Sequence, residues 1–568
     1  MPFFDACKEK ILSEDYRDFI VSDSARSLFT EQEGETICQV ATDFIYEMQY
    51  VYKTVADPVN LENYGYNEIP KCYTLLGTET LQQAGILQVQ GYPGLELMGA
   101  GVMVGFIDTG IDYTNAVFRN LDGSTRILGI WDQTIQSGDA PEGFFYGTEY
   151  TREVINTALL SEDPKSIVPS RDSNGHGTFL ASVTAGGASV ENDFLGAAPE
   201  TTIGVVKLKP AKRYLREYYH IREETECYQE TDIMLAVQYL QALATKNNLP
   251  LVICLALGTN QGSHNGTSPL GGMLELLANM SNRAVVIGGG NEAGERHHFA
   301  GELRSLNDVT EVEVQVNSDV RGFCMELWTD IPNILAISIL SPTGERIPRV
   351  PIRRGKTETY QFLLEGTIIS IDYILLSENS NSELIYFRVD RPAEGIWTFI
   401  VEPVLLAEGT FHIWLPVKEF LDNDVFFLQS NPYNTLTEPS NIISGLTTAF
   451  YDGRDNSVAI SSGRGYTRER RIKPDLAAPG VDVEGIVMND RITNRSGSSV
   501  SAGITAGAVA LLMEWILYSL ERPSIDAMQI RNLLILGARK RPGEIYPNQE
   551  WGYGQLDLFH TFEVLRSI

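Results

Sequence analysis

The sequence is poor in basic residues and lacks long apolar runs. It has 44 Lys and Arg against 74 Asp and Glu in 568 residues, which gives a formal net charge of −30. A nucleic-acid partner requires a basic surface that replaces phosphate counterions, so this balance argues against one. The most apolar stretch, residues 502–517, is interrupted by Glu514 and falls short of the roughly 20 residues that span a membrane. We therefore expect neither nucleic-acid nor membrane binding.

Cysteines are few, and none forms a Cys-x-x-Cys pair. We expect reduced thiols, with neither a zinc site nor a disulfide framework. The six cysteines are Cys7, Cys38, Cys72, Cys227, Cys254 and Cys324. A secretory signal needs a basic start and an apolar run, whereas the first twenty residues interleave acidic and apolar side chains. The sequence thus predicts no signal peptide and a cytoplasmic location.

Hydrophobic patterning divides the chain into α/β and all-β stretches. Between about residues 99 and 305, apolar strands alternate with helical patterns, which is typical of a layered α/β domain with a parallel sheet. The predicted strands are 102–108, 202–208, 250–258 and 284–290, and the predicted helices are 231–246 and 270–282. Residues 306–437 carry short strands with regular turn signals and predict an antiparallel sandwich. Residues 28–51 have apolar residues at helical spacing and predict a helix.

Three short clusters carry residues suited to catalysis. Asp108 ends an apolar strand, where parallel sheets place groups that face a ligand. His176 lies between two glycines, and Ser499 opens a helix of small residues whose free N–H groups can stabilise an anion. Alone, each cluster also fits a turn, a solvated histidine or a helix cap. An aspartic protease would need a second carboxylate motif, which is not evident, and Asp112 is expected to be a turn or cap residue.

Together, the order Asp, His, Ser resembles that of the subtilisin-like serine proteases. Other motifs of that family follow in its order: FLGAAPE (194–200), ALG (256–258), IGGGNEAG (287–294), KPDLAAPG (473–480) and WGYGQLDL (551–558). The resemblance implies a subtilisin-like three-layer α/β domain and a serine endopeptidase that cleaves protein or peptide substrates. Ser499 would be the nucleophile, His176 the general base and acid, and Asp108 the residue that orients the imidazole.

The resemblance also assigns the rest of the site. Asn291 and the backbone N–H of Ser499 would form the oxyanion hole. Six residues would line the substrate cleft: Ala256, Leu257, Gly258, Gly288, Gly289 and Gly290. No cofactor or metal is implied, and we expect His297 and His298 to be an exposed loop pair.

Three positions depart from the residues usual in the family. Ser498 stands where Thr is common, Gly503 where Pro is usual, and Phe179 where His is frequent. None removes a group that the mechanism needs, although Gly503 is expected to loosen the start of the nucleophile helix.

The long interval between Asn291 and Ser499 resembles one branch of the family. The Csp germination proteases of spore-forming clostridia carry a β-jelly-roll insert there, and residues 11–21 (ILSEDYRDFIV) and 69–76 (IPKCYTLL) also resemble that group. This implies three units. The first is an N-terminal α+β prodomain at 1–78, which would assist folding and inhibit the enzyme. The others are a catalytic domain split into 79–305 and 438–568 and a jelly-roll insert at 306–437.

The same resemblance implies autocatalytic processing between about residues 75 and 85. The cleaved prodomain would stay bound non-covalently. The substrate would be a protein zymogen such as a cortex-lytic enzyme in spore germination, and the protein would be cytoplasmic or spore-associated. Alternatives are a catalytically silent regulatory or binding protein of subtilase fold, a general intracellular subtilase, and an insert that binds carbohydrate or protein.

Overall fold

The N-terminal unit is a small α+β layer. The computed structural model describes residues 2–22, 38–42, 45–75, 83–377, 380–421, 425–520 and 524–567. The first elements are α1 (Pro2–Leu12), β1 (Tyr16–Ser22), β2 (Cys38–Ala41), β3 (Tyr46–Tyr52) and α2 (Lys53–Ala56). The strands form an antiparallel sheet in the order β1-β3-β2. Buried residues of this sheet, Met48 and Tyr50 among them, share one hydrophobic cluster with the large α/β unit that follows.

Two predictions for the N-terminal unit are wrong. The described part of the predicted helix 28–51 forms β2 and β3, because Tyr46, Met48 and Tyr50 alternate into a buried face; residues 28–37 and 43–44 lie outside the described residues. A disulfide joins Cys7 of α1 to Cys38 of β2, so the expectation of six reduced thiols fails. The sheet brings together two cysteines 31 residues apart, which their spacing did not indicate.

The N-terminal segment ends in β4 (Cys72–Leu75), a strand of a separate small sheet, and the α/β unit follows it. In chain order the elements of the α/β unit are α3 (Ile86–Gly91), β5 (Met103–Asp108), β6 (Ile127–Asp132), β7 (Thr148–Thr151), α4 (Arg152–Leu159), α5 (Pro164–Ile167), α6 (His176–Ala185), β8 (Thr202–Lys207), α7 (Arg213–Tyr218), β9 (Tyr228–Gln229), α8 (Glu230–Lys246), β10 (Leu251–Leu255), β11 (Leu257–Gly258), α9 (Pro269–Ala278) and β12 (Arg283–Gly288). The predicted strands 102–108, 202–208 and 284–290 and both predicted helices of this region are confirmed, whereas 250–258 divides into β10 of the central sheet and β11 of the small sheet.

The chain then leaves the α/β unit to form an antiparallel sandwich. Its strands are β13 (His298–Glu302), β14 (Thr310–Val316), β15 (Gly322–Asp330), β16 (Ile334–Leu340), β17 (Arg346–Ile347), β18 (Glu358–Gln361), β19 (Ile368–Ile374), β20 (Ser382–Asp390), β21 (Gly395–Leu405), β22 (Thr410–Trp414) and β23 (Val425–Phe427). One sheet has the order β13-β22-β15-β20-β19-β18 and the other β17-β16-β21-β14-β23. Alternate strand residues meet in one apolar core. The first sandwich strand begins before residue 306.

The last elements return to the α/β unit and complete its central sheet. They are β24 (Leu446–Asp452), β25 (Ser457–Val458), β26 (Leu476–Pro479), β27 (Val483–Val487), β28 (Arg491–Arg495), α10 (Ser498–Glu514), α11 (Ala527–Leu536) and α12 (Leu558–Ser567). The large sheet has the order β25-β24-β12-β10-β5-β8-β6-β7, with β26 also paired to β24. From β24 to β6 the pairings are parallel. The predicted α/β fold with an inserted antiparallel sandwich is confirmed.

Helix α10 lies at the centre of the α/β unit. With the turn after it, residues 498–519 are long and apolar enough to cross a membrane, but 83% of the stretch is buried inside the protein. The helix packs on α6 and on the central strands. At its end, Glu514 accepts N–H bonds from Met98 (2.9 Å) and Gly99 (2.6 Å). The apolar character of α10 is therefore that of a core helix.

Candidate active site

Asp108, His176 and Ser499, predicted from three distant motifs, form one hydrogen-bonded chain. The Nδ1 atom of His176 lies 2.9 and 2.8 Å from the two carboxylate oxygens of Asp108. Its Nε2 atom lies 3.0 Å from Ser499 Oγ. All three side chains are buried. This geometry allows the imidazole to take the serine proton while the carboxylate stabilises the resulting cation.

Each member of this chain sits at the end of a regular element. Asp108 is the last residue of β5, His176 the first residue of α6, and Ser499 the second residue of α10. The N-terminus of α10 places backbone N–H groups that have no partner within the helix, and the positive end of the helix dipole, beside the serine. Rigid strands and helices, rather than loops, thus fix the three positions.

Glycine beside the histidine is required by close packing. A Cβ atom at position 177 would lie 2.2 Å from the carbonyl oxygen of Gly110 and 3.1 Å from the Cβ of Asp108. Gly175 has a φ of +85°, in the left-handed region that favours glycine. The glycines on both sides of His176 therefore let the start of α6 reach the end of β5.

A second carboxylate, Asp172, organises the segment that carries the histidine. Its Oδ1 accepts N–H bonds from Asn174 and Gly175 at 3.1 and 2.7 Å, and its Oδ2 accepts one from Thr178 at 2.8 Å. Thr109 donates its hydroxyl to the same Oδ1 at 2.9 Å. Sequence reasoning did not single out Asp172, although an Asp shortly ahead of Asn-Gly is a turn signal that points to such bonding.

Asn291 is held against the nucleophile helix. Its Oδ1 accepts the N–H of Ser498 at 3.1 Å. With the oxygen engaged, the amide nitrogen remains as the group able to donate a bond to a reacting carbonyl. The predicted oxyanion asparagine therefore lies beside the nucleophile, and its amide can act with the backbone N–H of Ser499.

The predicted cleft residues divide into two groups. Leu257 and Gly258 form β11, which pairs antiparallel with β4, Leu257 opposite Leu75 and Gly258 opposite Thr74; Ala256 precedes them. On its other edge β4 pairs with β9. A strand of the N-terminal segment thus occupies the middle of a three-stranded sheet where a substrate strand was expected. Sequence reasoning missed the β9 edge, whose two residues carry no motif.

The glycines 288–290 serve a different contact from β11. Gly289 donates its N–H to Thr448 and accepts one from Thr437, and Gly290 accepts one from Gly463. These bonds fix the segment that leads into Asn291. Gly289 and Gly290 therefore support the asparagine, whereas β4 pairs with β9 and β11.

The prediction of an exposed His297–His298 pair is wrong. His297 is buried, with Nδ1 2.7 Å from Glu292. His298 is buried in a ring stack with His412 and Trp414, and burial lowers its pKa well below the usual value. Among the described residues, no group of three or more His, Cys, Asp or Glu side chains is arranged to hold a metal ion.

Two of the unusual residues have a packing explanation. A Cβ atom at Gly503 would lie 2.8 Å from Thr184 Oγ1 and 2.9 Å from Leu180 Cδ1, so glycine lets α10 press on α6. Phe179 packs under Gly485, where a Cβ atom would lie 2.5 Å from its ring. Rather than loosening the helix, Gly503 permits a close helix crossing.

Comparison with known proteins points to one family. The model of the "Subtilase family" peptidases matches residues 99–554. The solved structure of the CspB protease of Clostridium perfringens is 30% identical with a TM-score of 0.75, and the match covers 85% of this chain and 98% of that one.

Curated relatives are much longer than the matched regions. A C5a peptidase of Streptococcus pyogenes is 29% identical over 476 residues, 80% of this chain and 39% of that protein. The mouse membrane-bound transcription factor site-1 protease is 31% identical over 141 residues, 24% of this chain and 13% of that protein. The matches therefore span well under two thirds of these relatives.

Proposed function

Since the chain belongs to the subtilase family, we propose that it is a serine endopeptidase that hydrolyses peptide bonds by acyl transfer. The observation that carries this proposal is the 3.0 Å contact of His176 Nε2 with Ser499 Oγ, with Asp108 on the other side of the imidazole. A nucleophile, a base and an orienting carboxylate in hydrogen-bond reach are the groups that acyl transfer requires.

The reaction has two stages. Ser499 Oγ attacks the scissile carbonyl carbon while its proton moves to His176 Nε2, and Asp108 stabilises the imidazolium. The oxyanion accepts bonds from the Asn291 amide and the Ser499 N–H. The imidazolium then gives its proton to the leaving amine, which leaves an acyl-enzyme. Water deprotonated by His176 attacks this ester, releases the acid and restores the serine.

We further propose that the N-terminal unit is a prodomain that the enzyme removes by its own triad and retains as an inhibitor. The position of β4 between β9 and β11 supports this, because it fills the edge that a substrate strand would use. The predicted cleavage range of about 75–85 includes residues 76–82, which lie outside the described residues.

The finer biological proposal rests on the resemblance to the Csp group and on the match to the CspB protease. The substrate would be a protein zymogen, such as a cortex-lytic enzyme activated in spore germination. A general intracellular subtilase would instead cleave unrelated proteins with similar efficiency. Intact-mass analysis of candidate zymogens after incubation with the processed enzyme distinguishes the two, since a germination protease should make one defined cut.

Labelling with a fluorophosphonate probe tests the catalytic proposal. The wild type should react at Ser499, whereas Ser499→Ala should neither label nor lose its N-terminal segment, by N-terminal sequencing. Ser498→Ala is the matched control, because that neighbouring hydroxyl is buried without a hydrogen-bond partner among the described residues. A folded, prodomain-free wild type that stays unlabelled would indicate the catalytically silent alternative.

A further inference from the structure

Three parts of the chain meet at one buried carboxylate. Glu326 lies on β15 of the sandwich and is 4% exposed. Both its oxygens lie 2.7 Å from the hydroxyl of Tyr66, in the segment between α2 and β4. Its Oε2 also accepts the N–H of Gly262 from the α/β unit, at 3.0 Å. A single side chain of the insert therefore binds the N-terminal segment and the α/β unit together.

Charge and shape support this junction. Trp328, two residues along β15, donates its Nε1–H to Glu326 at 3.0 Å and meets the Tyr66 ring edge-on at 5.4 Å. Lys71 Nζ lies over the ring of the tyrosine, 4.2 Å from the ring centroid. Burial raises the pKa of Glu326, while the three donors and the nearby ammonium oppose that rise. The carboxylate depends on these donors, because an unpaired buried charge is costly.

Apolar contacts surround the polar ones. Leu61, Tyr66 and Ile69 of the N-terminal segment are buried in one hydrophobic cluster with residues from both other parts. The insert contributes Trp328, Leu384, Tyr386 and Trp414, and the α/β unit contributes residues of α7 and the turn after it. The N-terminal segment thus lies in a groove with two walls, one of them the sandwich.

We propose that the inserted sandwich is one wall of the binding site for the prodomain, and that the Tyr66–Glu326 contact retains the prodomain after cleavage. This rests on the proposed function in that β4 ends a removable prodomain. The proposal gives the insert a role in inhibition. Strand β4 blocks the cleft, and the insert, which contributes none of the three triad residues, holds the segment that precedes β4. Loss of this contact would release β4 from the cleft sooner.

The test is designed to be independent of catalysis. In a Ser499→Ala background, residues 77–82 are replaced by the recognition sequence of an unrelated protease, and the full chain is cut there. The protein is held by a C-terminal tag, and prodomain remaining after timed washes is quantified by mass spectrometry. Failure of the peptidase proposal leaves this measurement unaffected.

Tyr66→Phe and Glu326→Gln should each speed prodomain release by about 10- to 100-fold, the range for losing a hydrogen bond to a charged group. Tyr66→Phe is the cleaner change, because it leaves the bonds of Glu326 with Trp328 and Gly262 in place. The double variant should release the prodomain more slowly than the product of the two single effects predicts. Tyr66→Phe removes the contact and Glu326→Gln takes away its charge, so both changes act on the same interaction.

Glu383→Gln is the matched control. Glu383 is a fully buried carboxylate on the adjacent strand β20 that accepts the N–H of Leu335, inside the insert. It should leave release unchanged. The proposal would be overturned if Tyr66→Phe left release unchanged or if the effects of the two single variants were fully additive. An equal effect of Glu383→Gln would also overturn it, because release would then come from general loosening of the sandwich.

Discussion

Asp108 and Glu326 are both buried carboxylates that accept several hydrogen bonds, yet Asp108 joins residues within one unit and Glu326 joins three parts of the chain. Asp108 binds His176 and the N–H of Thr109, all within the α/β unit. Glu326 binds donors from three parts of the chain, including Tyr66, which is 260 residues away in sequence. Burial and multiple donors therefore do not distinguish catalysis from assembly. What sets Asp108 apart is that its imidazole partner faces a nucleophile.

The largest expected effect comes from neutralising Asp108. Asp108→Asn should lower kcat by about 10⁴-fold, because the amide favours the wrong imidazole tautomer and does not stabilise the imidazolium. Thermal unfolding should change little beside this. In the chain cut at the introduced protease site, the timed washes should show unchanged retention of the proposed prodomain. The comparison fails if Asp108→Asn instead releases the prodomain while peptide hydrolysis persists.

The second-largest effect is expected from a buried ion pair between the N-terminal unit and the α/β unit. Lys212 of the α/β unit and Asp18 of β1 are in direct contact and are 2% and 0% exposed. Burial lowers the pKa of Lys212, and Asp18 opposes this. Lys212→Met would leave Asp18 buried without its cation, so prodomain docking should weaken by about 3–5 kcal/mol.

The timed-wash measurement used for Tyr66 also checks Lys212→Met. Lys53→Met provides the control, since Lys53 and Asp15 form an exposed pair within the N-terminal unit at 2.6 Å. Solvent screens such a pair, so this change should not alter docking measurably. Equal release in the two lysine variants would mean that the buried pair has no special role.

The oxyanion asparagine ranks third. Asn291→Ala should lower kcat by about 10²–10³-fold, the loss expected when one oxyanion-hole donor is removed, with KM nearly unchanged. Asn291→Asp sharpens the assignment, because it keeps the oxygen that accepts Ser498 N–H but loses the donating amide. If Asn291→Asp retained wild-type kcat, the amide would not be the oxyanion donor.

The two carboxylates also explain which features the sequence predicts. Asp108, His176 and Ser499 are each embedded in glycines or small residues whose purpose is local, such as Gly177 against the end of β5. Such motifs can be recognised in the sequence without knowledge of the fold. Glu326 sits in an ordinary alternating strand, and its partners become neighbours only once the sandwich docks on the α/β unit. The predictions for His298, which contacts His412, and for Cys7 and Cys38 are wrong for the same reason, since the packing of segments distant in sequence decides both.

The smallest expected effect concerns Thr109, which positions the histidine segment without touching the reacting atoms. Its hydroxyl donates to Asp172 at 2.9 Å and accepts the N–H of Gly177 at 3.0 Å, so it ties the end of β5 to the start of α6. Thr109→Val removes both bonds and should lower kcat by about tenfold, because such bonds contribute about 1–3 kcal/mol and only part of that bears on the position of the histidine; KM should stay unchanged. Thr114→Val removes a hydroxyl bonded to the neighbouring Asp112 at 2.6 Å and should leave kcat unchanged. A rise in KM without a fall in kcat would place Thr109 in substrate binding instead. A tenfold loss would show that the effect of the Asp108 carboxylate on catalysis depends on how firmly the segment carrying His176 is held. Glu326 has no reacting partner, so this requirement does not apply to it.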